Sequence, residues 1–388
     1  MIRYIDDFRD GHLAQALAKR IHQQIDPDRC YQFMEFCGGH THTIHRYGIP
    51  DLLPINIELI HGPGCPVCVL PIARIDQAIA LTMLPNNILC SYGDMLRVPG
   101  SSQFSLLKAK AEGADIRMVY SVDDALRIAK QNPDQNVIFF AIGFETTTPP
   151  TAIAIIQASA ENLTNFSVFC NHVLTPVAMK SLLSIQETEL EQQSMHLDGF
   201  IGPAHVSIII GSDAYAHISR EYQKPIVISG FEPLDVLQSI SMLVSQVNEG
   251  RYEIENQYIR AVNAQGSLKS QSIMEEVFEL RNTFEWRGLG EIPQSALEIR
   301  AKYASFDAEK RFDLPKNSLH REHKGCECAA VLRGIKKPNQ CKLFAKVCTP
   351  ENPLGSCMVS SEGACAAVYA YGRKPSPQRF PKMVEGGN

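Results

Sequence analysis

Short apolar runs alternate with amphipathic stretches over most of this chain, and that alternation sets its fold class. Eight runs stand out: Tyr31–Phe36, Ile55–Ile60, Asn87–Ser91, Ile116–Tyr120, Val137–Ile142, Phe166–Cys170, Phe200–Ile201 and Ile226–Ile228. All are short, and near-continuous apolar character is what a parallel strand buried on both faces requires. Between them, Ile72–Leu84, Ser101–Glu112, Asp123–Gln131, Thr151–Ser159 and Thr175–Ser184 have helical character. Strands alternating with helices of this length predict parallel α/β sheet. Ahead of the first run, Phe8, Leu13, Leu17, Ile21 and Ile25 recur at the helical period. Ser121 followed by Asp123 and Asp124 reads as a capped helix start. Beyond residue 236 the chain becomes more polar. Val236–Val247, Ile273–Leu280 and Ser295–Tyr303 read there as connecting helices that return toward the N-terminal one.

Two segments echo each other: Ile142-Gly143-Phe144-Glu145-Thr146 and Ser229-Gly230-Phe231-Glu232-Pro233. Phe36-Cys37 against Phe169-Cys170 is a weaker echo. Both hint at two related α/β units. The 388 residues exceed the roughly 250–300 at which a single core stops growing. The expected division is 30–160 and 161–240 for two α/β domains, with 1–29 and 241–388 forming a mostly helical third domain.

Charge and termini narrow the class. A formal net charge of −5 argues against nucleic acid or an anionic membrane as the main partner. The opening Met1-Ile2-Arg3-Tyr4-Ile5-Asp6-Asp7 lacks the apolar core of a signal peptide. No window reaches the ~18 uninterrupted apolar residues of a membrane span. A cytoplasmic protein is expected, whose thiols stay reduced unless they work.

Chemistry gathers where apolar runs end, which in open parallel sheets is where ligands bind. The first run ends in Cys37-Gly38-Gly39-His40-Thr41-His42, and the second in His61-Gly62-Pro63-Gly64-Cys65-Pro66-Val67-Cys68. Cys37 and His40, three apart, are donors suited to iron, copper or zinc. Cys65 and Cys68 form a C-x-x-C at an expected helix start, where the helix dipole favours thiolate; this suits either thiol exchange or metal binding. Cys30, Cys90 and Cys170 are expected to be buried and inert. His42, His45 and His172 are expected at helix surfaces or caps, and Glu145 as a cap for the helix that follows it. Gly93-Asp94-Met95 and Gly202-Pro203-Ala204-His205 are candidates for the same cleft. No Walker or Rossmann glycine loop is present, so no bound nucleotide is indicated.

Near the C-terminus, Cys326, Cys328, Cys341, Cys348, Cys357 and Cys365 are spaced C-x-C-x12-C-x6-C-x8-C-x7-C. A zinc ribbon would use two close knuckles, and structural disulfides would need an oxidising compartment. Four thiols for an iron–sulfur cubane and two for a redox pair fit better. Spacing alone does not choose which four.

Together with Gly143-Phe144-Glu145-Thr146-Thr147-Thr148-Pro149, these motifs closely resemble the HypD family, maturation factors that help build the iron–dicyanide–carbonyl unit of nickel–iron hydrogenases. The resemblance spans essentially the whole chain. It implies two α/β domains related by pseudo-twofold symmetry and a third domain with a 4Fe–4S cluster. The cysteine segment resembles the cluster site of ferredoxin–thioredoxin reductase. That likeness assigns Cys326, Cys341, Cys348 and Cys365 to the cluster, and Cys328 with Cys357 to a neighbouring redox pair. Iron carrying cyanide and carbonyl would be held by Cys37 with Cys65 and Cys68, and His40 would orient the site or move a proton. Implied partners are a HypC-like chaperone, a HypE-like cyanide donor and, indirectly, the hydrogenase large subunit. A protein disulfide reductase is the alternative reading.

Overall fold

A computed structural model describes residues 5–188, 196–315 and 323–372. Nine parallel strands make two sheets: β1 (Tyr31–Glu35), β2 (Ile57–His61), β3 (Asn87–Ser91), β4 (Ile116–Met118), β5 (Asn136–Gly143), β6 (Phe166–His172), β7 (Gly199–Pro203), β8 (Ile226–Ser229) and β9 (Ile254–Asn256). All eight apolar runs fall on strands. β9 is the one the pattern missed, a three-residue edge strand whose residues are only half-buried.

The first sheet runs β2-β1-β7-β8-β9 and the second β4-β3-β5-β6. Counted in order within each sheet, the strands follow 2-1-3-4-5 and 2-1-3-4, one doubly wound order used twice. The division at residue 160 is therefore corrected. β1 and β2 wait for β7, so the second sheet is inserted into the first. Hydrophobicity marks strands but not their neighbours, and sequential runs look like one unit when a connection leaves and returns. The sequence echoes do not mark equivalent positions either. Gly143 closes the third strand of its sheet, whereas Gly230 follows the fourth of the other.

Alternation along each strand feeds two faces. In β1, Tyr31 and Phe33 join a core beneath Leu237 and Ile240, while Met34 faces the core shared by both sheets. In β5, Val137, Phe139 and Ala141 face Phe278 and Tyr303, while Ile138, Phe140 and Ile142 face that same shared core. The helix Gly11–Gln24 covers the first sheet with the helix Pro233–Glu249, tied by Gln24 Nε2 to Ser245 Oγ at 3.1 Å and by Ser241 Oγ to Gln24 Oε1 at 2.7 Å. It thus belongs to the first α/β unit and not to the cysteine segment.

Between residues 278 and 299 the expected helices give way to two small antiparallel pairs, Phe278–Leu280 with Leu297–Ile299 and Thr283–Trp286 with Gly290–Pro293. Buried Phe284, Trp286 and Ile292 pack here against the shared core, so tertiary burial overrides the helical reading. The cysteine segment is mostly loops with the short helices Cys328–Leu332 and Ala364–Tyr371. It lies over the strand ends of the first sheet. Ala364–Tyr371 packs on the helix Gly38–Arg46, and the turn Ser356–Met358 on the helix Pro66–Val69. Among the described residues no helix is long and apolar enough to cross a membrane.

Candidate functional site

The strand order switches direction between β1 and β7, where an open α/β sheet leaves a crevice. The loops after β1 and β2 meet there. Gly38 N–H donates to Gly64 O at 2.9 Å, and Gly64 sits so close to the Cys37 backbone that any side chain would collide. Cys37 caps the helix Gly38–Arg46 and its thiol is free and buried. Burial, reinforced by the Glu362 carboxylate, pushes that thiol far above its ordinary range. A bound cation would reverse this by displacing the proton.

The glycine pair is there for packing as well as for freedom of the backbone. A Cβ on Gly38 would strike Glu362, and one on Gly39 would lie 2.7 Å from the Phe231 ring. Phe231 stacks on His40 at 4.7 Å between ring centroids and on His205 at 4.0 Å. Through that stack the loop after β7 joins the cleft, as expected. Burial and then the Asp94 carboxylate raise Glu362, which brings the β3 loop to the cleft's edge.

His40 is fully buried. Its Nε2 approaches the carbonyls of Ser229 at 2.9 Å and Gly230 at 3.1 Å, which fixes the proton on Nε2. Nδ1 is then a buried lone pair without a protein partner. Burial lowers the imidazole to about 4, so it stays neutral near pH 7. Beneath Cys37, the buried Glu35 accepts from the Cys37 N–H at 3.0 Å and from the Thr41 hydroxyl. Its Oε1 lies 2.8 Å from His61 Nδ1, and His61 Nε2 lies 2.9 Å from His45 Nε2. Burial raises Glu35, and it lowers His61 to about 4 and His45 to about 3, so both imidazoles are neutral near pH 7 along one hydrogen-bonded line. Sequence reasoning missed Glu35, His61, Phe231 and Glu362 as parts of this site. His61 and Glu35 did flank the motifs, but polar residues at strand ends carry no signal of which neighbour they reach.

Cys65 and Cys68 are joined as a disulfide, as are Cys328 and Cys357; the other eight cysteines are free. Ser356, fully buried, stands between the two pairs. Its Oγ donates to Cys68 O at 3.0 Å and lies 3.6 Å from Cys328 Sγ. Cys326, Cys341, Cys348 and Cys365 line one cavity with Cys328, Cys357, Val331, Leu343, Phe344 and Met358. Burial, then the neighbouring Cys326, Cys348 and Cys341, drive the Cys365 thiol upward. No three His, Cys, Asp or Glu among the described residues converge on one point as for a single metal ion. Four free thiols around an apolar hollow suit instead a cluster bound at several corners.

Other expectations change. Cys90 and Cys170 are buried as expected, but Cys30, just ahead of β1, is exposed. His172 is buried, with Nε2 3.0 Å from Thr151 Oγ1, because β6 extends two residues further than its apolar run. His42 reaches Tyr371 OH at 3.2 Å and His45 is half-buried against His61. Glu145 does not cap its own helix. It accepts from Thr175 N–H at 2.8 Å and Thr175 Oγ1 at 2.9 Å, holding the start of the next helix, Thr175–Thr188.

Two parallel α/β units, one inserted into the other, with thiols from a third segment over the strand ends of the first, define a multi-thiol α/β protein. A profile of HypD, the hydrogenase formation hypA family, matches residues 12–372. The chain is 63% identical to the hydrogenase maturation factor HypD of Azotobacter vinelandii, over 96% of this chain and 98% of that one. It is 60% identical to that of Cupriavidus necator over 96% and 98%, and 44% identical to that of Escherichia coli over 97% and 100%. The chain belongs to the HypD family of hydrogenase maturation factors.

Proposed function

We propose that this protein is the scaffold on which the iron–dicyanide–carbonyl unit of nickel–iron hydrogenases is assembled, with iron as its cargo at Cys37. The observation that carries the reading is the nearness of the Cys65–Cys68 and Cys328–Cys357 pairs through Ser356, beside the loop that presents the free Cys37. Cys326, Cys341, Cys348 and Cys365 would hold a 4Fe–4S cluster, which supplies electrons one at a time when bound.

Releasing cyanide from a thiocyanate, R–S–CN, consumes two electrons and one proton and leaves R–SH and cyanide. A dithiol closing to a disulfide gives two electrons and two protons, so one reduced Cys65/Cys68 pair balances one cyanide. Cys328 and Cys357, reduced in turn, restore that pair by exchange. Cys37 holds the iron through sulfur once the metal displaces its proton, and a HypC-like chaperone supplies a second thiolate. His40, neutral and fixed by its Nε2 contacts with the Ser229 and Gly230 carbonyls, orients the cleft. A HypE-like donor brings the thiocyanate, and the finished unit passes to the hydrogenase large subunit.

Infrared spectroscopy of the protein purified with its HypC-like partner tests this. Metal cyanide and carbonyl bands are expected, and Cys37→Ala should remove them together with the co-purification. Their absence from the intact pair would favour a plain disulfide reductase. Anaerobic reconstitution should load about four iron and four sulfide. Cys341→Ala and Cys348→Ala should lose the cubane absorbance, while Cys328→Ala keeps it with altered redox behaviour.

A further inference from the structure

We propose that the rim of the four-thiol cavity is a docking surface for a small acidic electron-carrier protein, an inference that rests on the cluster reading above. Charge is unevenly placed along this chain. The whole carries −5, yet residues 323–372 hold six Lys or Arg against three Glu, a local +3. Two of those three acids are already engaged: Glu362 lies against the Cys37 loop, and Glu327 pairs with Lys336. Lys337 is likewise taken by Glu58. Lys324, Lys342 and Lys346 are exposed and form no ion pair among the described residues.

These three lysines flank cluster thiols. Lys324 precedes Cys326 by two residues, Lys342 follows Cys341, and Lys346 precedes Cys348 by two. Gly325 packs on Leu343, which brings the Cys326 segment against the 341–348 loop. That loop is a tight turn, closed by Cys348 N–H to Leu343 O at 3.0 Å and Ala345 N–H to Cys348 O at 3.1 Å. Val347, 52% exposed, adds an apolar contact beside Lys346. Cys326 and Cys341 reach solvent partly, whereas Cys348, Cys328 and Cys357 are buried.

The geometry gives the segment two sides. One is covered: the turn Ser356–Met358 meets Pro66–Val69, and Ala364–Tyr371 meets Gly38–Arg46. The other, at Cys326 and Cys341, is partly exposed, and its loops carry the three exposed lysines. Reducing two disulfides needs electrons from outside, so that edge is where a carrier's redox centre can come nearest. Exposed lysines beside a small apolar spot suit a brief, steered encounter, and redox complexes lie at the small end of interface sizes.

The probe is an acidic 2Fe–2S ferredoxin, and the test uses the full chain. Oxidised ferredoxin should bind, with affinity falling at least about tenfold between about 20 and about 200 mM salt. The variant Lys324→Glu/Lys342→Glu/Lys346→Glu should lose that binding, and reduced ferredoxin should reduce it at least about tenfold more slowly. Its iron content, its melting temperature and its reduction by dithionite should match the parent. Binding that ignores salt, or a triple variant that binds and accepts electrons as the parent does, overturns the proposal. A chain that takes up no iron and sulfide defeats the cluster reading instead, and ferredoxin binding to that cluster-free chain still reads the surface.

Discussion

Single residues in this protein act through what presses on them. Gly39 is adjacent to the Phe231 ring, so Gly39→Ala must move that ring and with it the His40 stack. We expect a cost of about 1–3 kcal/mol, measured by denaturant unfolding, together with loss of the infrared bands. Glu145 offers a pH test. Burial raises it to about 7 from 4.5, and the Thr175 hydrogen bonds only partly offset this. Its neutral form is therefore favoured by folding. That contribution is complete below about pH 4.5 and is lost as the pH rises toward 7, by at most about 3 kcal/mol. Glu145→Gln keeps an acceptor for Thr175 N–H and should flatten the melting temperature across pH 5 to 8, which thermal scans at several pH values would read.

At the scale of elements, one carboxylate ties the second sheet to the chain beyond it. Glu309 accepts from Arg74 Nη1 at 2.5 Å and Arg281 Nη2 at 2.5 Å, while Arg74 also donates to Cys170 O at 2.9 Å and to Asn171. Burial opposes ionisation of Glu309, but the two guanidiniums outweigh it and lower the group to about 2. Its stabilising effect is thus present above about pH 4.5 and is lost as pH falls toward 2. Glu309→Gln leaves two guanidiniums facing each other and should cost about 2–4 kcal/mol at pH 7, falling to about half of that or less at pH 3, where the contribution is on its way out. Equal destabilisation at both pH values would show that packing, not charge, is what the residue supplies.

At the scale of the whole molecule, the cysteine segment and the first sheet are coupled through a hydroxyl. Ser356→Ala removes the donor to Cys68 O and should destabilise by about 1–2 kcal/mol. Under mild reduction, differential alkylation should then find Cys328/Cys357 open while Cys65–Cys68 lags behind; Ser356→Thr should restore coupled opening. If both pairs open together in the alanine variant, the hydroxyl has no part in the exchange.

What could be read from the chain was local. Near-continuous apolar runs located eight of the nine parallel strands, because strands buried on both faces leave no other pattern. Glycine, cysteine and histidine at the ends of two of them located the cleft, since these types are costly or purposeless elsewhere. The HypD resemblance rested on the same motifs. Neighbourhood was not legible. That β1 pairs with β7, some 165 residues onward, that Phe231 and Glu362 occupy the space above Gly38 and Gly39, and that Ser356 meets Cys68 are contacts between distant segments. Hydrophobic periodicity records how much of a residue is buried. Which surface buries it is decided only when the whole chain packs, and in this protein that packing is what sets one thiol pair beside the other.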